Sequence, residues 1–298
     1  LNYLVTAVKN IPRLLASALL LSVATTTLAE SKDQDSAKKI ASVKQQSKEV
    51  AIPEDLLADE HLREEFGVNY LTTPSIDKLF ELLDTLGTLS YDKLSRTVPE
   101  ETPTDRLAVS LSLGALIADG FLVVQCEKIE QMENVGRSLL KHAKVLGAGM
   151  RMNRHSQSLL EQSLKGDWKN LRMELSKTQF DVEAEMVQLR DVDIAHLISL
   201  GGWLRAFQIG THAADMAYNP EKTRNLARAD IAGYYLQSLE SLSDTIQRMP
   251  IVRELHQALE DLMPLVDGPE GKSLTQEEVK ALKTQADKLM KIVSNVSK

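Results

Sequence analysis

The sequence predicts an all-α protein, a bundle of long antiparallel helices, on three observations. From Pro53 onward apolar residues recur at three- and four-residue spacing, as in Leu79, Leu82, Leu83 and Leu86, and almost nothing alternates with period two. No proline interrupts the chain between Pro103 and Pro220, which permits several long helices in succession. Only 4% of residues are aromatic and the apolar set is rich in Leu and Ala, a composition that favours helix packing over sheets. An α-solenoid-like array of helix pairs is the alternative architecture.

Residues 1–29 read as a secretory signal. Lys9 and Arg13 supply a positive n-region, Leu14 to Val23 an apolar stretch, and Thr27-Leu28-Ala29 a small-residue cleavage site. The expected product is periplasmic or secreted and begins at Glu30; membrane association is expected only if the segment is retained as an anchor. Residues 30–51 are polar, free of aromatics and mixed in charge, so they predict a flexible tether. Residues 52–298 form the helical domain, with a bundle core over 103–248 and a C-terminal helical pair over 251–298.

Caps and breakers divide that domain. Thr73 with Pro74 and Asp77 predicts a helix start that Gly87 closes, and Thr102-Pro103 opens the next long helix. Gly147 and Gly149 break the proline-free stretch, and Lys165-Gly166-Asp167-Trp168 predicts a tight helical hairpin. Asn219-Pro220-Glu221 predicts another helix start, Pro250 an interruption, and Asp267-Gly268-Pro269-Glu270-Gly271 a turn. Thr275 with Glu278 is a capping box for the last helix.

Two segments resemble each other 87 residues apart, Arg106 to Phe121 and Asp193 to Gln208, with Ala, Ser-Leu-Gly and an aliphatic at matched offsets. Both carry helix-interior glycines: Gly114 and Gly120 in the first, Gly201 and Gly202 in the second, with Gly210 just beyond it. Each costs about 1 kcal/mol against Ala. A close helix crossing would offset that cost. These glycines follow no strand and match no GxGxxG or phosphate-loop pattern, so they do not point to a nucleotide.

Charge and cysteine content narrow the function. The chain has 35 Lys and Arg against 42 Asp and Glu, a net charge of −7, and loss of Lys9 and Arg13 with the signal makes the remainder two charges more acidic. Such a balance argues against nucleic acid or anionic lipid as a partner. The single cysteine, Cys126, ends an apolar run and predicts a buried, inert thiol. It rules out an intramolecular disulfide and a c-type haem.

No catalytic residue is assigned, because the chain has neither a Gly-x-Ser-x-Gly elbow nor a His-Glu-x-x-His pair. No cofactor is expected. None of the six histidines has Glu three positions earlier, which a di-iron bundle requires. A mononuclear metal site from Asp193, His196, His212 and Asp215 is conceivable on spacing alone. Asp119, Arg205 and His212 stand out as polar residues in apolar helices, and burying a charge alone costs several kcal/mol. They predict an Asp119–Arg205 pair flanked by Trp203 and His212 at the floor of a cleft. Met150, Met152, Met173 and Met186 suggest an adaptable surface or, more simply, core packing. The functional expectation is an exported, non-catalytic binding or interaction protein that recognises an unidentified protein or small molecule between the two glycine-bearing helices. Its alternative is a periplasmic carrier with an internal site.

Overall fold

The computed structural model describes residues 74–295, and among these the chain forms eleven α-helices and no strand. The expected leader and tether, and Thr73, lie outside the described residues. Ser75 caps α1 (Ile76–Asp84), its hydroxyl accepting from Lys78 N. Gln179 fixes the entry to this helix from a distance, accepting from Ile76 N at 3.0 Å and donating to Pro74 O at 3.1 Å. α2 (Tyr91–Leu94) is a single turn.

α3 (Arg106–Gln125) starts three residues later than Thr102-Pro103 suggested, because Asp105 is the cap and accepts from Ala108 N at 2.9 Å. α4 (Ile129–Leu146) ends at Gly147 and α5 (Gly149–Lys165) at Gly166, both left-handed. Asp167 then caps α6 (Trp168–Gln188), the predicted hairpin. α7 (Val192–Met216) follows. Asn219-Pro220 opens only a 3-10 turn, Pro220–Thr223, and α8 (Ala229–Glu240) begins later. α9 (Asp244–Gln247) is one turn. Pro250 does not interrupt a helix; it occupies the first position of α10 (Pro250–Val266), where its missing N–H leaves no bond unmade. α11 (Gln276–Asn295) opens with the predicted capping box: Thr275 N donates to Glu278 at 2.7 Å and Glu278 N to the Thr275 hydroxyl at 3.2 Å.

The helices close into two four-membered groups. α3, α4, α5 and α6 each pack on the next, and α6 returns to α3. α7, α11, α10 and α8 form the second ring, closed where the Ser199 hydroxyl meets the Tyr235 hydroxyl at 3.0 Å and Trp203 stacks on Tyr235 at 4.8 Å. The C-terminal helices are therefore not an appendage; α11 packs along α7 and completes this ring. α3 and α7 make the most extensive contact of all and join the groups.

Both central helices are mostly apolar and are buried around most of their circumference, the pattern of a helix surrounded by protein. Among the described residues α3 alone is long and apolar enough to cross a membrane, with a mean hydropathy of 2.1, and that whole window is buried in the bundle. Its contact with α7 is backbone against backbone. A methyl group on Gly114 would overlap the Ile198 carbonyl and lie 2.7 Å from Gly202 N, and one on Gly201 would overlap the Leu111 carbonyl. In the 87-residue match Leu111 corresponds to Ile198 and Gly114 to Gly201, so each glycine meets the counterpart of its partner's neighbour. That reciprocity is the signature of a pseudo-two-fold axis between two parallel helices.

The outer hairpin of α5 and α6 is held by His155, whose ring contacts Glu174 at 2.6 Å and Asp181 at 2.8 Å. Burial opposes its charge, but the hydrogen bonds and charges of the two carboxylates outweigh burial and raise its pKa to about 9. Met152 and Met186 are core residues, whereas Met150 and Met173 are exposed.

Glycines of one sequence type should thus respond oppositely to alanine. Gly114→Ala is expected to lose on the order of 3 kcal/mol in urea unfolding, because the clash is with backbone. Gly136→Ala in α4, where a methyl meets nothing within 4 Å, should gain roughly 0.5–1 kcal/mol from helix propensity.

Candidate functional site

Asp119 sits in the middle of α3 with a side chain only 7% exposed, and Arg205 on α7 is 3% exposed. The predicted pair forms: Arg205 Nε donates to Asp119 Oδ1 at 2.7 Å. The rest of the guanidinium is also engaged, Nη2 with the Leu94 carbonyl at 2.6 Å and Nη1 with Gln208 Oε1 at 2.7 Å. Arg205 therefore has a partner on each of its three nitrogens. A buried guanidinium bonded in this way is a fixed structural element.

The second oxygen of Asp119 accepts from Arg96 Nε at 2.8 Å. One carboxylate is thus shared between two guanidiniums, which leaves the cluster with a net positive charge. Arg96 Nη2 is enclosed without a hydrogen-bond partner. Arg96 lies in an extended strap, residues 95–101, that crosses α3 and α4 and is held by its own carbonyls. Ser138 donates to Pro99 O at 3.2 Å and Lys141 to Glu100 O at 3.3 Å. Just before α2, Cys126 Sγ approaches Leu89 O at 3.6 Å, and burial pushes the thiol pKa up, away from reactivity.

Between the strap and α4 lies a cavity of about 880 Å³, lined by Arg96, Arg137, Lys141, Glu100 and Glu101 together with Tyr91, Asn134 and Ser138. Its size falls within the ~300–1,000 Å³ of ordinary ligand sites, although its lining is more polar than most. Below it, His142 is fully buried, one ring nitrogen 2.8 Å from Ser138 O and the other 3.0 Å from the Ser112 hydroxyl. Burial lowers its pKa and keeps the ring neutral.

The network continues along α7. Gln208 Nε2 donates to Asp287 Oδ1 at 2.8 Å, and His212 Nε2 meets the same oxygen at 2.8 Å. Asp119, Arg205 and His212 therefore belong to one polar chain that ends on α11. Trp203 does not: it stacks on Phe207 at 5.6 Å and on Tyr235, facing α8. The small cavity beside it, about 40 Å³, is far below ligand size. At Gly114 and Gly201 the backbones of the two glycine-bearing helices touch, which leaves no room between them at that crossing.

The conceived metal set is corrected by helix length. Asp193 and His196 lie in the first turns of α7, His212 and Asp215 in its last, and sixteen residues from His196 to His212 span about 24 Å. Their partners differ too. Asp193 accepts from Ser243 N at 3.2 Å, His212 meets Asp287, and Asp215 accepts from Lys283 at 2.6 Å, which lowers the Asp215 pKa. No group of three or more His, Cys, Asp or Glu side chains among the described residues is placed to hold a metal.

Sequence reasoning found Asp119 and Arg205 but missed Arg96, the strap and His142. Arg96 stands in a polar, proline-containing loop with no periodicity to aim it at α3, and nothing local distinguishes His142 from a solvated helical histidine. No family model, curated protein or solved structure matches the chain.

Removing Asp119 would strand two guanidiniums. Asp119→Ala is expected to cost about 3–5 kcal/mol in urea unfolding. In a double-mutant cycle with Arg205→Met, the two losses should be non-additive by at least ~1 kcal/mol.

Proposed function

We propose that this is an exported binding protein whose site is the cavity between the strap and α4, and whose ligand is a small polar molecule bearing a carboxylate or phosphate. The cavity itself carries the reading. Arg96, Arg137 and Lys141 line it; Arg137 is paired with Glu133 on the same helix, and Arg96 shares the Asp119 carboxylate with Arg205. A ligand anion near this group would complete a buried two-by-two charge arrangement and relieve the shortage of acceptors around Arg96.

The remaining wall suits a polyhydroxylated or amide-bearing body, since Tyr91, Ser95, Thr97, Gln131 and Asn134 offer both donors and acceptors. Glu100 and Glu101 also line the groove and would select against a ligand with negative charge at both ends. Export is supported by the Lys9, Arg13 and Leu14-to-Val23 pattern ahead of Thr27-Leu28-Ala29.

Thermal denaturation with inorganic phosphate, gluconate and glucose tests the reading. The anionic probes should raise Tm saturably, by several degrees at a hundredfold excess over Kd, where binding adds about 2.7 kcal/mol. Arg137→Gln with Lys141→Gln should abolish the rise and leave the unliganded Tm nearly unchanged. An equal rise in that variant would place the anion elsewhere and defeat the assignment.

A further inference from the structure

The α4–α5 and α6–α7 turns meet at one end of the first bundle. Arg106 holds them together: it donates to the Val145 carbonyl and pairs with Asp191. The Leu189 side chain lies against Gly147, 3.4 Å from where a Cβ would stand. The joined tips carry four exposed apolar side chains, Val145 at 41%, Met150 at 90%, Leu189 at 51% and Val192 at 40%. A contiguous apolar tip on a protein surface marks an interaction site more often than an isolated exposed residue does.

Its surroundings are cationic. Residues 142–160 contain Lys144, Arg151 and Arg154 and no acidic residue, within a chain whose net charge is −7. Lys144, Arg154 and Arg190 are exposed around the tip. The acidic groups beside it already have partners: Asp105 caps α3, Asp191 pairs with Arg106, and Asp193 accepts from Ser243 N. At physiological salt, charges beyond about 8 Å are screened, so the local field at the tip, and not the net charge, governs what docks there. Another exposed apolar pair, Leu160 and Leu164 near the α5–α6 turn, lacks this bias, because Lys165 beside it is paired with Glu161 at 2.6 Å.

We infer that the Val145–Met150–Leu189–Val192 tip docks on an anionic lipid surface, the apolar side chains entering the headgroup boundary and Lys144, Arg154 and Arg190 meeting lipid phosphates. Two turns projecting from a bundle end form a protrusion that a fluid interface accommodates, and one or two cations near such a surface add measurably to binding. This docking is independent of the ligand groove, which lies along the strap.

A probe confined to the tip separates this contact from any other membrane-binding part of the chain. In the full-length chain carrying Cys126→Ser, a polarity-sensitive fluorophore is attached through Met150→Cys, with Gln157→Cys on the same helix as the control position. Vesicles of phosphatidylglycerol and phosphatidylcholine should shift the emission at position 150 to the blue and expose it to nitroxide-lipid quenching, with little change at 157. The effect should fade in phosphatidylcholine alone and at 0.5 M salt, and Lys144→Glu with Arg154→Glu should weaken it at least tenfold. No shift with anionic vesicles would overturn the inference. So would an equal response to neutral vesicles, or a blue shift that grows with protein concentration in the absence of lipid, which would identify a second copy as the occupant.

Discussion

The contact between α3 and α7 is the constraint on which the rest of the molecule depends. Two largely apolar helices, buried on nearly every side, are stabilised by being surrounded, each mainly by the other and by its own four-helix ring. Their backbones approach so closely that Gly114 and Gly201 have no room for a methyl group. The cost of helix-interior glycine, about 1 kcal/mol each, is offset by the packing of both backbones and the side chains on either side. Because the approach is reciprocal, neither ring can shift along the other without clashes on both sides of the pseudo-two-fold axis.

The charged pair beside this crossing, Asp119 and Arg205, breaks the symmetry. In the 87-residue match Asp119 corresponds to Ala206, and Arg205 to Ala118, so the ion pair has no counterpart. It lies on the side where α2 and the strap cover α3. There Arg205 reaches the Leu94 carbonyl, Asp119 reaches Arg96, and Gln208 passes the network on to Asp287 and His212. A fold built from two similar rings thus acquires one distinct face, and the cavity assigned to ligand binding is on that face. The buried Asp119 carboxylate that holds Arg96 Nε suits a preorganised anion site, since the guanidinium need not be ordered at the moment of binding.

Much of the helical framework was legible in the sequence because its causes are local. Gly147, Gly166, Asp167, Thr275 and Glu278 act through bonds made within four residues, and each does in the structure what its type predicts. Pro250 was misread because the same residue ends one helix and begins another, and only the neighbouring turn at Ser243 decides between them. The Asp119–Arg205 pair could be anticipated because isolated charges in apolar helices must find partners. Its setting could not: whether a groove or a closed contact lies beside the pair depends on residues 95–101, which carry no periodicity and are aimed entirely by tertiary hydrogen bonds. The metal set failed for a simpler reason, since spacing along one straight helix already separates its two halves.

Native-state hydrogen exchange resolved by residue tests the central claim most directly, because it measures the free energy at which each helix opens. If the glycine crossing locks the two rings into one cooperative unit, the core amides of α3 and α7 should exchange only through global unfolding, with the same opening free energy and the same denaturant dependence. The outer helices α5 and α6 should open at lower cost. Core amides of α7 that exchange through a cheaper, partial opening while α3 stays protected would show that the rings unfold independently, and would contradict the account.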